Sequence, residues 1–402
     1  MKTYFKIIFL GLITAFSFSA FIYFAQYGVI NKLLNTLLGL SSIALLLYIP
    51  KRSIPIAGFS IGILWFYWIG YSFEYQGVGY MTPIITLAFG FIYLLFFLPL
   101  YFTQKAYIRA ILLFGLSFFQ PFDWNWLQIE LIFVDSYIGI YKYQLIFALL
   151  ALSLPQLIKI RSYRYLPLLF LIGAFNYGYA KQQDAPLKIK LVQTHIKQDY
   201  KWTREALLPT IEMVFQEIAI AKEQKCDIVV FPESVFPLYM NRNTKLIKEL
   251  QVASDGIAII AGSLFIEDSH SYNVTYLFEN GKIKIAKKLV LVPFGEYIPL
   301  PKFAQKFIND TFFSGASDFV TADKPTDFTI KGVKFRNAIC YEATCSEIYE
   351  GDVDYVIATS NNAWFAPSIE PTLQRLLLKY YARKNGVTIY HSANYKGSGI
   401  IK

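Results

Sequence analysis

The sequence predicts a polytopic α-helical membrane domain of about seven transmembrane helices over residues 1–181, followed by an α/β domain over residues 182–402. Three observations predict it. Hydrophobic residues fill 55% of the 402 positions and charged residues only 16%, with a mean hydropathy of +0.39, too apolar for an ordinary soluble chain. The excess is uneven, because nearly all the long apolar runs fall before about residue 180. Beyond Asp184 the pattern changes to short strand-like runs alternating with helical spacings, as expected of a layered α/β domain.

Crossing a bilayer takes about 20 apolar residues. The candidate runs are Tyr4–Phe24, Leu33–Pro50, Ile54–Phe73, Met81–Phe102, Ala106–Phe119, Gly139–Leu157 and Tyr165–Tyr179. The fifth is short, and the seventh is interrupted by Gly173 and Asn176. The first is not read as a signal peptide, since six more runs follow without a soluble interval. Loop charges alternate. Lys2 and Lys6 precede the first run, Lys51 and Arg52 follow the second, Lys105 and Arg109 the fourth, and Lys159, Arg161 and Arg164 the sixth. The other loops hold Glu74, Asp123, Glu130 and Asp135. Basic loops stay in the cytoplasm, so the N-terminus is expected inside and everything after the seventh crossing outside. Arg109 and Lys142, near run ends, are expected to snorkel to the interface or to touch lipid headgroups. The loop Gln120–Trp126 reads as an interfacial aromatic belt or as a cradle for a substrate lipid.

The net charge of +10 has no basic block or aromatic-interleaved patch behind it. Lysines in loops beside membrane spans answer to topology and anionic headgroups, so no nucleic-acid partner is expected. Three cysteines (Cys226, Cys340, Cys345) without CxxC spacing or a histidine cluster exclude a disulfide framework and a zinc site. His195, His270 and His391 are widely scattered, so the base for a cysteine nucleophile is expected to be a carboxylate.

In the second domain, Leu187–Gln193 alternates like a strand and Arg204–Gln224 has helical spacing. Asp227–Phe231 and Ile257–Phe265 read as buried strands, with a helix over Lys245–Ala253 between them. Tyr272–Phe278 and Lys282–Lys288 flank Asn280-Gly281, a hairpin signal. Phe328–Gly332 and Val333–Cys340 meet at a tight turn. Val353–Thr359, a helix over Pro371–Lys384 and a strand over Val387–Ala393 complete a mixed sheet layered with helices. The segment Tyr297–Phe319 is rich in Leu and Phe without a clear period, and reads as a lid dipping toward lipid or as a packed surface loop.

Three strands end in chemistry-bearing residues. Ile228–Phe231 leads through Pro232 to Glu233, the apolar run Lys288–Gly295 carries its lysine at the front and leads to Glu296, and Gly332–Ile339 leads into Cys340, followed by Tyr341 and Glu342. A thiol at a sheet edge, a carboxylate to take its proton and an ammonium to stabilise an oxyanion make an acyl-transfer site. A free thiol titrates near 8.5, so at neutral pH it needs such a base or cation.

Glu233, Lys288 and Cys340, in that order, resemble the Glu-Lys-Cys set of the nitrilase superfamily. With the preceding membrane spans, the chain looks like the membrane-anchored branch of that superfamily, the apolipoprotein N-acyltransferases. The most specific stretch is Val292–Pro299 around Glu296, joined by Phe231-Pro232-Glu233, Cys340-Tyr341-Glu342 and Asn361–Phe365. The resemblance covers nearly the whole chain. It implies a nitrilase-like αββα sandwich for residues 182–402 and a periplasmic catalytic domain on a multi-pass protein of the bacterial inner membrane. It implies an acyl chain moved from a phospholipid to the α-amine of a diacylglyceryl-cysteine on an apolipoprotein, through a Cys340 thioester. Glu233 would be the base, Lys288 the oxyanion donor, Glu296 and Glu342 supporting groups, and Trp202 and Tyr341 substrate contacts. No metal or cofactor is implied, and a monomer is expected.

The chain departs from the family pattern at Asn361-Asn362, where Asn-Asp is commoner, and at Gln374, Lys379 and Tyr381. It stops at Lys402, before the closing strands and last membrane helix usual in the family. Asn361-Asn362 itself reads as a turn after a strand. A membrane-tethered amidase using water as acceptor would need the same three residues. A transporter with a sensing domain would need paired charges or broken helices inside the membrane, where few charges lie.

Overall fold

The computed structural model describes residues 2–180, 182–293, 295–297 and 319–402, and the chain divides into two compact units, 1–179 and 180–402. The apolar segment expected as a lid falls mostly at 298–318, outside the described residues.

The first unit is helical: α1 (Lys2–Gln26), α2 (Lys32–Tyr48), α3 (Ile54–Phe66), α4 (Thr82–Phe97), α5 (Ala106–Leu116), α6 (Lys142–Ser153) and the short α7 (Leu171–Ala174). Among the described residues, Tyr4–Gln26, Lys51–Tyr75 and Gly79–Phe102 are long and apolar enough to cross a membrane, and Lys32–Tyr48 and Ala106–Leu116 are shorter apolar helices. The sixth and seventh expected spans are shorter than their apolar runs. Residues Leu154–Gln156, with Pro155 among them, tighten to a 3-10 turn. The seventh run opens as a 3-10 stretch, Leu166–Phe170, and leaves the helix at Phe175, which is extended.

Three sequence expectations fail in this unit for one reason: polar and aromatic groups are buried within it. Arg109 does not snorkel. It is fully buried, and its guanidinium donates to the carbonyls of Ile49 (2.7 Å), Leu47 (3.2 Å) and Leu46 (3.3 Å) at the end of α2 and to those of Leu100 and Thr103 (both 2.9 Å). Helix-end carbonyls lack partners and favour a cation. Lys142 pairs with the buried Glu130 at 2.5 Å and donates to Ser117. Trp124 and Trp126 form no belt; both are buried, in an aromatic cluster with Trp68.

The second unit is a four-layer sandwich. Among its described residues are β1 (Ile189–Leu191), α8 (Gln198–Lys201), α9 (Arg204–Glu223), β2 (Ile228–Val230), α10 (Thr244–Ala253), β3 (Ala258–Glu267), β4 (His270–Glu279), β5 (Lys282–Lys287), β6 (Asp327–Ile330), β7 (Val333–Ile339), β8 (Tyr355–Asn361), α11 (Glu370–Asn385), β9 (Thr388–Asn394) and β10 (Gly399–Ile401). One sheet runs β1-β2-β3-β4-β5 and the other β10-β9-β8-β7-β6. In the first sheet β1-β2 and β2-β3 pair in parallel and β3-β4 and β4-β5 antiparallel; in the second β9-β8 and β8-β7 pair in parallel and the two edge pairs, β10-β9 and β7-β6, antiparallel. The final strand β10, unexpected from sequence, pairs with β9.

Strand alternation builds the layers. Ile228, Val230, Ala258, Ile260 and Leu277 of the first sheet pack with Phe328, Ile330, Phe335, Ile357 and Tyr390 of the second, so the two sheets share one core. The intervening positions Val229, Ile259, Ala261 and Phe278 turn outward onto Val214, Ile218, Leu246 and Leu250 of α9 and α10. Asn280 and Gly281 both take positive φ (47° and 74°), as the two-residue hairpin between β4 and β5 requires. Lys331 and Gly332 (47° and 82°) repeat that turn between β6 and β7.

Candidate active site

Glu233 sits three residues past the end of β2, where the chain turns sharply: Ser234 has φ of 46°. That turn presses on β3. A Cβ at Gly262 would meet Ser234 N at 2.4 Å and Glu233 Cα at 2.7 Å, so only glycine fits there. The nearly buried Glu233 carboxylate accepts from Asn273 Nδ2 on β4 (Oε1, 2.7 Å) and from the Asn361 backbone N–H at the end of β8 (Oε2, 2.9 Å). The second bond crosses from one sheet to the other.

Lys288 follows β5 and extends its ladder by donating its backbone N–H to Asn273 O at 2.9 Å. Its side chain is fully buried, with Nζ 2.8 Å from Glu296 Oε1, 2.6 Å from Glu296 Oε2 and 4.0 Å from Glu233 Oε1. Burial alone would pull this ammonium down; Glu296 first, then Glu233 and Cys340, more than reverse that, and its pKa lies above the ordinary lysine value. Glu296 is itself fixed by the Val292 N–H at 2.9 Å.

Cys340 directly follows β7 and opens a 3-10 turn, with φ of 55°, a left-handed conformation that non-glycine residues seldom take and that is found at functional sites. It is partly exposed. Burial chiefly, then Glu233, pushes the thiol well up; Lys288 opposes this without overcoming it, and Glu370 and Glu296 add to the rise. The resting residue is therefore a thiol, not a thiolate, and its reaction needs a base. Gln374 of α11 places Nε2 at 4.0 Å from Sγ.

Glu342 does not bond to Lys288. Its buried carboxylate accepts the backbone N–H groups of Ile339 (2.6 Å), Leu289 (2.6 Å) and Val290 (3.1 Å), so it clamps the segment after Lys288 to the turn that carries Cys340. Burial raises its pKa to about 7 against the lowering effect of Lys288 and these N–H bonds. Tyr341 is buried next to Cys340 in the chain, whereas Trp202 is 45% exposed.

The family model described as apolipoprotein N-acyltransferase integral membrane domain matches residues 4–177, and the carbon-nitrogen hydrolase model matches residues 188–397. An apolipoprotein N-acyltransferase of Wolinella succinogenes is 43% identical over 393 residues, covering 98% of this chain and 95% of that protein. Enzymes of the same name from Helicobacter pylori (37% over 378 residues; 92% of this chain, 88% of that one) and Helicobacter hepaticus (38% over 384 residues; 92% and 94%) align along similar lengths. This chain belongs to the apolipoprotein N-acyltransferase family. Its fold is accordingly an N-terminal membrane domain joined to a carbon-nitrogen hydrolase domain.

Seen as a member of that family, the chain holds site residues that sequence reasoning passed over. Lys201 is fully buried, with Nζ donating to the Glu233 carbonyl at 3.0 Å, and burial draws its pKa down to about 8 against the opposing pull of Glu233 and Cys340. Its neighbour Trp202 attracted the assignment, through the resemblance to the family at that position. Asn361 is no turn residue: it closes β8 and its N–H holds Glu233. Asn273 gave no signal beyond strand alternation, Glu370 lies one residue before the helix read over Pro371–Lys384, and Gln374 stood out only as a departure from the family pattern.

Proposed function

We propose that the chain matures lipoproteins by moving an acyl chain from a membrane phospholipid to the α-amino group of an N-terminal diacylglyceryl-cysteine, with Cys340 carrying the chain between the two. Glu233 takes the thiol proton as sulfur attacks the ester carbonyl carbon. Lys288 Nζ stabilises the oxyanion that forms. The C–O bond then breaks, and Glu233 returns the proton to the departing oxygen, releasing a lysophospholipid and leaving a thioester. The amine attacks that thioester, the C–S bond breaks, and Glu233 carries an N–H proton to the thiolate. Glu296 keeps Lys288 charged and aimed, Glu342 holds the two turns in register, and Tyr341 and Trp202 line the path of substrate.

One observation supports this reading above the rest: a carboxylate and an ammonium from the ends of β2 and β5 lie 4.0 Å apart, and the charges of both are felt at a left-handed cysteine directly after β7 of the facing sheet. The alternating loop charges support an N-terminus in the cytoplasm and residues 182–402 outside the bacterial inner membrane. Incubating the full-length protein with phospholipid micelles and mapping acyl adducts by mass spectrometry tests it. A fatty-acyl group on Cys340, lost on adding a diacylglyceryl-cysteine peptide, is expected. An adduct on the buried Cys345 instead, whose thiol donates to Tyr341 O at 3.6 Å, would overturn the assignment.

A further inference from the structure

Glu370 is the first residue of α11, only 1% exposed, and its Oε2 has no hydrogen-bond partner among the described residues. A buried carboxyl oxygen without a partner destabilises a fold, and a catalytic role, a water or a bound group is among the reasons native structures keep one. Gln374 stands four residues further along α11, hence on the same helix face, and reaches to 4.0 Å from Cys340 Sγ. The face that bears Glu370 is thus the face turned to the nucleophile. Burial first, and the Glu233 charge second, hold the Glu370 carboxyl well above the usual carboxylate range.

The chemistry proposed above leaves one requirement unassigned. Thiol, oxyanion and proton each have a partner, but nothing yet orients the incoming amine. A buried carboxyl oxygen with lone pairs to spare suits that task. It accepts an N–H from the free amine, and because α-amino groups titrate near 8 (roughly pKa 7.7–8.0) about a tenth of the acceptor is free amine at neutral pH. We propose that Glu370 Oε2 is the docking point for the acceptor's α-amino group, accepting one N–H and turning the nitrogen lone pair to the Cys340 thioester carbonyl. The N–C bond forms, the C–S bond breaks, Glu233 passes the second N–H proton to the thiolate, and Glu370 neither gains nor loses a proton.

The inference rests on the reading under Proposed function, and its test separates the two half-reactions. Full-length wild type, Glu370→Leu and Glu370→Gln are charged with acyl chains from phosphatidylethanolamine–phosphatidylglycerol micelles. A synthetic diacylglyceryl-cysteine peptide is then added, with mass spectrometry reading thioester formation and decay. Glu370→Leu is expected to form thioester within about twofold of wild type, to melt no lower, and to pass the chain on about tenfold more slowly, the effect of one lost hydrogen bond. Glu370→Gln retains a carbonyl oxygen and is expected to transfer within about threefold of wild type. Wild-type transfer by Glu370→Leu, an equal fall in both half-reactions, or a Glu370→Gln as slow as Glu370→Leu would each overturn the inference alone. A wild type that forms no thioester on Cys340 removes the functional reading and the inference with it.

Discussion

Replacing Lys288 separates its two roles, as a buried charge and as a shaped donor. Its Nζ lies 2.8 and 2.6 Å from the two Glu296 oxygens and 4.0 Å from Glu233 Oε1, with no solvent exposure. Lys288→Met leaves both carboxylates facing each other across the Asn273 amide, which reaches them at 2.7 and 3.4 Å. Removing one member of a buried ion pair costs about 3–5 kcal/mol. The loss is expected near the lower end, because Glu296 is 13% exposed and keeps its bond to the Val292 N–H. Lys288→Arg retains the charge and a bond to Glu296, so stability is expected to change by no more than about 1 kcal/mol. The planar guanidinium cannot reproduce the single ammonium donor at the same point. Thioester formation is therefore expected to fall about 10²–10³-fold, the range measured for losing one oxyanion donor. Thermal unfolding in detergent gives the first quantity and single-turnover mass spectrometry of the Cys340 adduct the second. Lys288→Arg forming thioester at close to the wild-type rate would refute the oxyanion role.

Three further outcomes are expected. The left-handed backbone at Cys340 makes Cys340→Gly more stable than Cys340→Ala by about 1 kcal/mol, with neither forming an adduct; equal melting of the two would count against strain at the nucleophile. Lys201→Met strips the Glu233 carbonyl of its 3.0 Å partner and is expected to slow thioester formation about tenfold, checked by the same single-turnover assay. Glu342, with its folded-state pKa raised to about 7 from 4.5, binds its proton more tightly folded than unfolded. Its contribution to stability is full below the unfolded value and is lost as pH rises through about 7. Glu342→Gln should flatten the melting temperature over that window; an unchanged slope would show that another group titrates there.

The second unit was legible in sequence wherever a short-range signal sufficed. Short continuous apolar runs marked β2, β3 and β8, Asn280-Gly281 marked a hairpin, and the edges of three strand-like runs marked Glu233, Lys288 and Cys340. What could not be read depends on pairing between distant strands. Asn273 and Asn361 reach Glu233 only because β4 and β8 lie in facing sheets, and nothing local distinguishes them. Lys201 was overlooked because a buried lysine looks like a solvated one until its neighbours are known. In the membrane unit, hydropathy located the apolar runs but could not foresee Arg109 turning inward to helix-end carbonyls.

Glu233 and Lys288 belong to the first sheet and Cys340 to the second, with the Asn361 N–H bridging them. During synthesis the acid and the amine leave the ribosome more than fifty residues before the sulfur, and β8 follows later still. On the proposed chemistry, a half-made chain therefore has no assembled means of cleaving lipid, and that capacity arises only when the second sheet closes on the first.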